Sequence, residues 1–190
     1  MRMLVPALAG LLFANGAASA PGPPAAAPAQ VDCTALLRAH LETDLVLSYE
    51  AFDQTEGQGF RVLAAHGCHR EAADLIERYV AATGASERSL RWHAAQLRAS
   101  SGETAAAIRH ARSVLSESED FAKQPLRWNA YVLATIAFLE RDREALLRHR
   151  AAVAAAKDAH FGNALNLKLL DSLVKHYERD YAWATSHIGE

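Results

Sequence analysis

A short pattern of small residues recurs along this chain at a nearly constant spacing. Gly67 is followed five residues later by Ala72, and Gly102 is followed five residues later by Ala107. The two glycines are 35 residues apart, and a looser third copy places Ala145 at the same offset. A period of this length predicts a stack of helical hairpins, because each hairpin can bury its apolar face only against its neighbours.

Helical signals cover nearly the whole chain after residue 32 and predict an all-α fold. Apolar residues recur at helical spacing, Pro125 is the last of the 6 prolines, and glycines fall between the periodic segments. No alternating run of β-branched and aromatic residues is bounded by hairpin turns, so strands are not expected. The pattern predicts helices over 33–52, 60–66, 70–83, 86–99, 104–116, 126–139, 143–157, 163–177 and 180–187.

The first 20 residues have the layout of a secretory signal peptide. Arg2 precedes a short apolar core over 4–13, and Ala18-Ser19-Ala20 forms a small-residue cleavage site. The core is too short for a membrane span. Cleavage after residue 20 would leave Pro21 at the new N-terminus, so cleavage after Ala18 or within 25–27 is an alternative. A cytosolic protein with a disordered leader is the other interpretation.

Residues 21–31 are interpreted as a linker, and residues 32–188 as one folded domain. Proline fixes φ and lacks an amide donor, so the run PGPPAAAPAQ favours extended, solvated chain. The remaining length is sufficient for a single hydrophobic core. Arginine outnumbers lysine and alanine is the commonest residue, which is typical of GC-rich bacterial genes. Together, the predicted signal peptide and this composition predict export to the periplasm of a bacterium, or secretion.

The charge balance argues against general nucleic-acid binding. Lysine and arginine number 20 against 22 acidic residues, and removal of Arg2 with the leader takes the net charge from −2 to −3. There is no basic excess to neutralise phosphates. No later apolar run approaches the length of a membrane span. The expected partner is a protein or peptide, and the sequence leaves the oligomeric state open.

The two cysteines, Cys33 and Cys68, agree with export because an oxidising compartment favours their pairing. They are one repeat apart, and closing a loop of this length is worth roughly 4 kcal/mol on the loop-entropy model. Two buried thiols are the first alternative. The second is metal ligation by Cys68 with His66 and His69, but three ligands crowded into four residues can hardly reach one tetrahedral ion. A disulfide and no metal site are predicted.

The repeated segments resemble the second helix of a tetratricopeptide repeat (TPR). The matching positions are Gly67, Ala72, Ala73, Ile76 and Tyr79 in one copy, and Gly102, Ala107, Ile108 and Leu115 in the next. The resemblance covers 60–177 and implies antiparallel helical hairpins stacked as a short right-handed superhelix. The chain departs from the family at Ala111, where an aromatic is expected, and at Glu140, where a glycine is expected. A globular helical bundle is the alternative.

No catalytic or cofactor motif stands out among the 9 histidines. The metalloprotease helix, the haem-attachment motif, the nucleophile elbow and the glycine-rich phosphate loop are all missing from the sequence. We therefore expect a protein that is not an enzyme and needs no cofactor. A His-based enzyme or a metal sensor is the less favoured alternative.

The first helices of successive repeats carry aromatic and polar side chains. In TPR proteins these helices line a concave groove, so the resemblance implies contact with a peptide or a partner helix. Aromatic rings supply apolar contact area, and amides can hydrogen-bond a peptide backbone. The alternative is that the tryptophans are core wedges between hairpins. The candidate residues are Trp92, His93, Gln96, Arg127, Asn129, Tyr131, Asn163 and Asn166.

The expected function is that of an exported scaffold or adaptor that mediates protein–protein contact. The alternative is a helical module of an envelope assembly or secretion complex. In that case a flat face, and not the groove, would contact the partner.

Overall fold

The computed structural model describes residues 31–189, and the regular elements in that range are all helical. The all-α prediction is confirmed, and consecutive helices pack against each other. The predicted signal peptide and residues 21–30 of the predicted linker lie outside the described residues. The helices are α1 (Cys33–Thr43), α2 (Phe60–Ala65), α3 (His69–Thr83), α4 (Arg88–Ser100), α5 (Thr104–Ser113), α6 (Trp128–Leu139), α7 (Arg143–Ala155), α8 (Phe161–Lys175) and α9 (Tyr181–Ser186).

Three of the helical hairpins share one turn geometry. In the α2–α3, α4–α5 and α6–α7 turns, a residue with positive φ comes just before the N-cap of the second helix: Gly67 (φ 75°), Gly102 (φ 79°) and Arg141 (φ 61°). The N-cap residue then donates its backbone N–H to a carbonyl five residues earlier, as Cys68 does to Leu63. This bond satisfies a carbonyl that the end of the first helix would otherwise leave unpaired.

The third copy of the pattern lies one residue later than the sequence spacing predicts. The residue with positive φ is Arg141 and not Glu140, and the fully buried residue five positions on is Leu146 and not Ala145. Arginine is uncommon in this conformation because its Cβ crowds the backbone. Here its guanidinium donates to the carbonyl of Tyr177 and lies 5.1 Å from the centre of the Phe138 ring. These contacts offset the strain that a glycine would avoid.

The predicted helix over 33–52 is wrong in its second half. Helix α1 ends at Thr43 and is followed by a 3₁₀ turn (Asp44–Val46), extended backbone at Leu47 and a π-helical turn (Glu50–Gln54). The hydroxyl of Tyr79 donates to the carbonyl of Leu47 at 2.9 Å. The carbonyl of Leu47, which a continuous helix would pair internally, is thus paired by a tertiary hydrogen bond. The local periodicity of the sequence does not indicate such a bond.

The predicted disulfide between Cys33 and Cys68 is confirmed. The two sulfur atoms are 2.06 Å apart and the Cα atoms 5.4 Å apart, across a sequence separation of 35 residues. Cys33 is the first residue of α1, and Cys68 is the N-cap of α3 and only 1% exposed. The bond therefore fastens the start of the described chain to the first hairpin turn.

Two hydrophobic clusters form the core, and α4 contributes to both. Leu90, Ala94 and Leu97 belong to the N-terminal cluster, which includes Phe52, Leu63 and Leu75. Trp92, Ala95 and Ala99 belong to the C-terminal cluster, which includes Val132, Leu146 and Leu170. The apolar residues of α4 thus point to opposite sides, as expected for a helix packed between two layers.

Candidate functional site

Trp92 and Tyr131, the aromatic groove candidates, lie in the core. Each is 5% exposed, and their rings are 5.2 Å apart in an edge-on arrangement. Trp128 completes the cluster, with ring distances of 5.6 Å to Trp92 and 6.1 Å to Tyr131. Burial raises the pKa of the Tyr131 hydroxyl above its ordinary value. These side chains join α4 to α6 and leave little surface for a partner.

The C-terminal helix α9 covers part of the face on which a groove is predicted. Tyr181 is 4% exposed, and α9 packs against α4 as well as α8. The Tyr181 ring lies 6.3 Å from that of Phe138 on α6, and Ser172 on α8 donates to the carbonyl of Ala184 at 2.6 Å. Burial raises the pKa of Tyr181 to about 12, although the nearby Gln96 amide acts in the opposite direction. We call Gln96, Phe138 and Ser172 the α9 seat.

His93 pairs with a carboxylate that the sequence pattern does not single out. Its Nδ1 lies 2.7 Å from Oδ1 of Asp53, which is fully buried in the π-helical turn. Burial alone would raise the pKa of Asp53, but hydrogen bonds from His93, Gln54 and Tyr49 outweigh it and hold the pKa below its usual value. The pair connects the segment after α1 to α4. This contact gives His93 a structural role in the fold.

Two of the predicted amides hold the backbone of the long connection between α5 and α6. Asn163 is fully buried; its Oδ1 accepts from the N–H of Arg127 at 2.8 Å, and its Nδ2 donates to the carbonyls of Pro125 and Ala156. Asn129 forms two bonds of 2.8 Å with the backbone of Ser116. Asparagine has poor helix propensity, and these bonds to the backbone of the connection account for its presence in α6 and α8.

The other two predicted polar residues have different surroundings. The guanidinium of Arg127 lies 3.5 Å from the centre of the exposed Phe121 ring, which is a cation–π contact within the same connection. Asn166 is half-buried on α8. Taken together, the structure does not place the eight candidates on one open surface.

An open cleft lies between the start of α4 and the connection that the amides hold. Its volume is about 460 Å³, within the range of ligand-binding pockets. Trp128 forms one wall, and the guanidinium of Arg88 reaches across it to the hydroxyl of Ser116 at 2.6 Å. We call this the loop cleft; it is lined by Arg88, Ser89, Ser116, Ser118, Glu119, Asp120, Gln124, Leu126 and Trp128.

An exposed apolar patch on α8 adjoins the loop cleft. Phe161 is 76% exposed and Leu165, one helical turn later, is 56% exposed. Leu126 connects the two features, because it lines the cleft and its Cδ1 packs against Gly162. We call Phe161 and Leu165 the α8 patch. Their spacing is visible in the sequence, where both interrupt the polar side of α8.

A buried arginine organises the charged groups on α3, α4 and α5. Arg98 is 7% exposed and its guanidinium lies within 3 Å of carboxylate oxygens of Asp74, Glu77 and Glu103. His110 also contacts Glu77, at 2.9 Å. Burial opposes the charge of Arg98, but the three carboxylates outweigh it and raise the pKa of the guanidinium. The network cross-links three helices.

Within residues 31–189, no three histidine, cysteine or acidic side chains come together as metal ligands would. In the same part of the chain, no helix combines the length and apolarity needed to cross a membrane. Comparison of the sequence with family models found no match. Comparison with curated proteins and with solved structures likewise found no significant similarity.

Proposed function

We propose that this protein is an exported, non-enzymatic adaptor that binds a protein partner through the loop cleft and the α8 patch. The scaffold that supports this proposal is a stack of TPR-like hairpins, three of which repeat one turn geometry. The disulfide is compatible with an oxidising compartment such as the periplasm.

The single observation that carries the proposal is the exposure of Phe161 beside an open cleft. A side chain of this size that is 76% exposed buries little of its apolar area. Exposed aromatic residues next to a pocket are typical of protein interfaces, in which a few rings supply most of the binding free energy. Arg88 and the serines of the cleft add hydrogen-bonding groups at its edge.

This geometry also supports the flat-face alternative, a helical module of an envelope assembly. The α8 patch lies on the exposed side of α8, whereas Tyr181 of α9 is buried against Phe138 on α6. A partner that contacts Phe161 and Leu165 therefore meets a helix surface and not a groove between helices. Both versions use the same residues and differ in whether the partner is a soluble protein or a fixed assembly.

A matched pair of leucine substitutions tests the proposal. Leu165→Asp introduces a charge into the α8 patch, and Leu147→Asp introduces the same charge at a leucine that is 42% exposed on α7. Each variant is expressed with its leader, cross-linked in intact cells and captured. We expect Leu165→Asp to reduce recovery of the partner about tenfold, which corresponds to the loss of about 1.4 kcal/mol of binding free energy at a hot-spot residue. Leu147→Asp should recover as much partner as the wild type.

Circular dichroism must show that both variants keep the helical content of the wild type. Equal recovery of the partner by the two folded variants would contradict the proposed surface. A soluble partner would favour the adaptor, and a membrane-fixed complex would favour the envelope module.

A further inference from the structure

Helix α9 packs on the rest of the domain as a short terminal helix and does not form another hairpin of the repeated kind. It has 6 residues, and 176–180 connect it to α8 with Glu178, Arg179 and Asp180 exposed. The α2–α3, α4–α5 and α6–α7 turns have three residues between their helices, and the α7–α8 connection has five. A helix of this length is not stable alone in water. Contacts with the α9 seat therefore keep it helical.

Few side chains of α9 are deeply buried. Tyr181 is 4% exposed and Ala184 is fully buried, but Trp183 is 39% exposed. The carboxylate of Asp180 accepts from the N–H of Trp183 at 2.7 Å and caps the helix at an exposed position. Undocking α9 exposes one tyrosine and one alanine and leaves the disulfide-linked hairpin untouched. Such a terminal element opens more readily than the whole fold unfolds.

We propose that the α9 seat is an exchangeable binding site whose ligand is α9 of a second copy of this chain. The α9 segment is the one sequence that is seen to fit the seat: the Tyr181 ring packs on the Phe138 ring, and the Ala184 carbonyl accepts from Ser172. Exchange between two copies reproduces both contacts. The free-energy cost of exchange is therefore mainly the cost of bringing two chains together. Tyr177 stays buried against Phe138, and the three exposed residues 178–180 can extend over about 10 Å, enough to redirect α9 to a neighbour.

Exchange joins two domains without covering the α8 patch. Phe161 lies at the opposite end of α8 from the connection to α9. A dimer formed by exchange would therefore present two copies of the patch to one partner, and linked copies bind with higher avidity than one. The exchange itself does not depend on the proposed function.

A fluorescent peptide of residues 179–189 tests the seat in the full chain. We expect binding to the wild type and binding about fivefold tighter to the Asp180→Ala chain, because loss of a helix cap of about 1 kcal/mol weakens competition from its own α9. A peptide with Tyr181→Ala should bind at least about tenfold more weakly, since it lacks the buried ring. Binding of the two peptides with equal affinity, or of neither to the Asp180→Ala chain, would overturn the proposal.

Analytical ultracentrifugation of the wild type over a concentration series tests the identity of the occupant. We expect a dimer whose fraction rises with concentration and falls when the unlabelled peptide is added in excess. If the peptide binds but the chain remains monomeric at every concentration, the seat takes an external segment and the second-copy assignment is wrong. Because Asp180 is exposed, its substitution should leave the core unchanged, and circular dichroism checks that the variant is folded.

Discussion

Asp53 is the most deeply buried carboxylate in the described part of the chain, and its neighbours decide its ionisation. Its side chain has no exposed area, while that of His93 is 25% exposed. A buried charge is costly unless it is hydrogen-bonded, and here His93 and Gln54 supply the bonds. The ionised carboxylate therefore joins the π-helical turn to α4, and its protonation weakens this contact.

Asp53→Asn should lower the free energy of unfolding at pH 7 by about 2 kcal/mol, because hydrogen bonds to a charged group are worth roughly that much. The pKa of Asp53 is lower in the folded state than in the unfolded state. Its contribution is therefore complete above the unfolded value of about 4 and is lost as pH falls through the folded value. Urea denaturation of the wild type and the variant at several pH values measures the difference.

The control for this prediction is Asp158→Asn, which removes a charge from an exposed aspartate. It should change the free energy of unfolding by less than about 0.5 kcal/mol. A difference between the wild type and Asp53→Asn that stays constant down to pH 2 would contradict the ionised pair.

At the scale of the helical hairpin, one backbone geometry is achieved with two kinds of residue. Gly67 and Gly102 adopt positive φ without steric cost, and their spacing predicts the first two turns. The third turn uses Arg141, which sequence inspection cannot recognise as a turn residue of this kind. The contacts that stabilise it involve Phe138 near the end of α6 and Tyr177 in the connection between α8 and α9. The register of α7 was therefore predicted one residue too early.

Substitutions at Arg141 should separate strain from side-chain contacts. Arg141→Ala retains the strained φ and loses the hydrogen bond and the ring contact, so it should destabilise the fold by about 2 kcal/mol. Arg141→Gly loses the same contacts but relieves the strain, and it should be about 1 kcal/mol more stable than the alanine variant. Chemical denaturation of both variants measures the difference.

Arg148→Ala provides the reference for loss of an exposed arginine from the following helix. The side chain of Arg148 is 62% exposed, and its contact with Glu144 is long, at 3.8 Å. Its loss should change stability by less than about 0.5 kcal/mol. If the glycine variant of Arg141 is no more stable than the alanine variant, positive φ at this position carries no strain.

The whole molecule shows which relationships a sequence records and which it does not. Helix type, hairpin period and the cysteine pair were predictable, because each depends on residue identity at short or regular spacing. The docking of α9 was not, since Tyr181 and Gln96 are 85 residues apart and no periodicity relates them. For the same reason, periodicity does not distinguish a ring that faces a groove from one that packs between helices, as Trp92 does against Tyr131. The α8 patch is visible in the sequence only as two apolar residues one helical turn apart, Phe161 and Leu165.

The disulfide should dominate the stability of the N-terminal half. A Cys33→Ser, Cys68→Ser double variant is expected to lose roughly 4 kcal/mol of unfolding free energy, on the loop-entropy model for 35 residues. Guanidinium denaturation measures the loss. A reducing agent should lower the stability of the wild type by a similar amount and leave the double variant unchanged. Equal stability of oxidised and reduced wild type would show that packing alone holds α1.

The position of α4 between the two clusters makes the domain cooperative. Leu90 faces one cluster and Trp92 faces the other, so opening either half removes contacts from the same helix. The two halves consequently cannot melt as independent units, although each has its own apolar centre. Amide hydrogens in the middle of α4 are thus expected to exchange with solvent only through global unfolding, whereas those of α9 exchange through local opening.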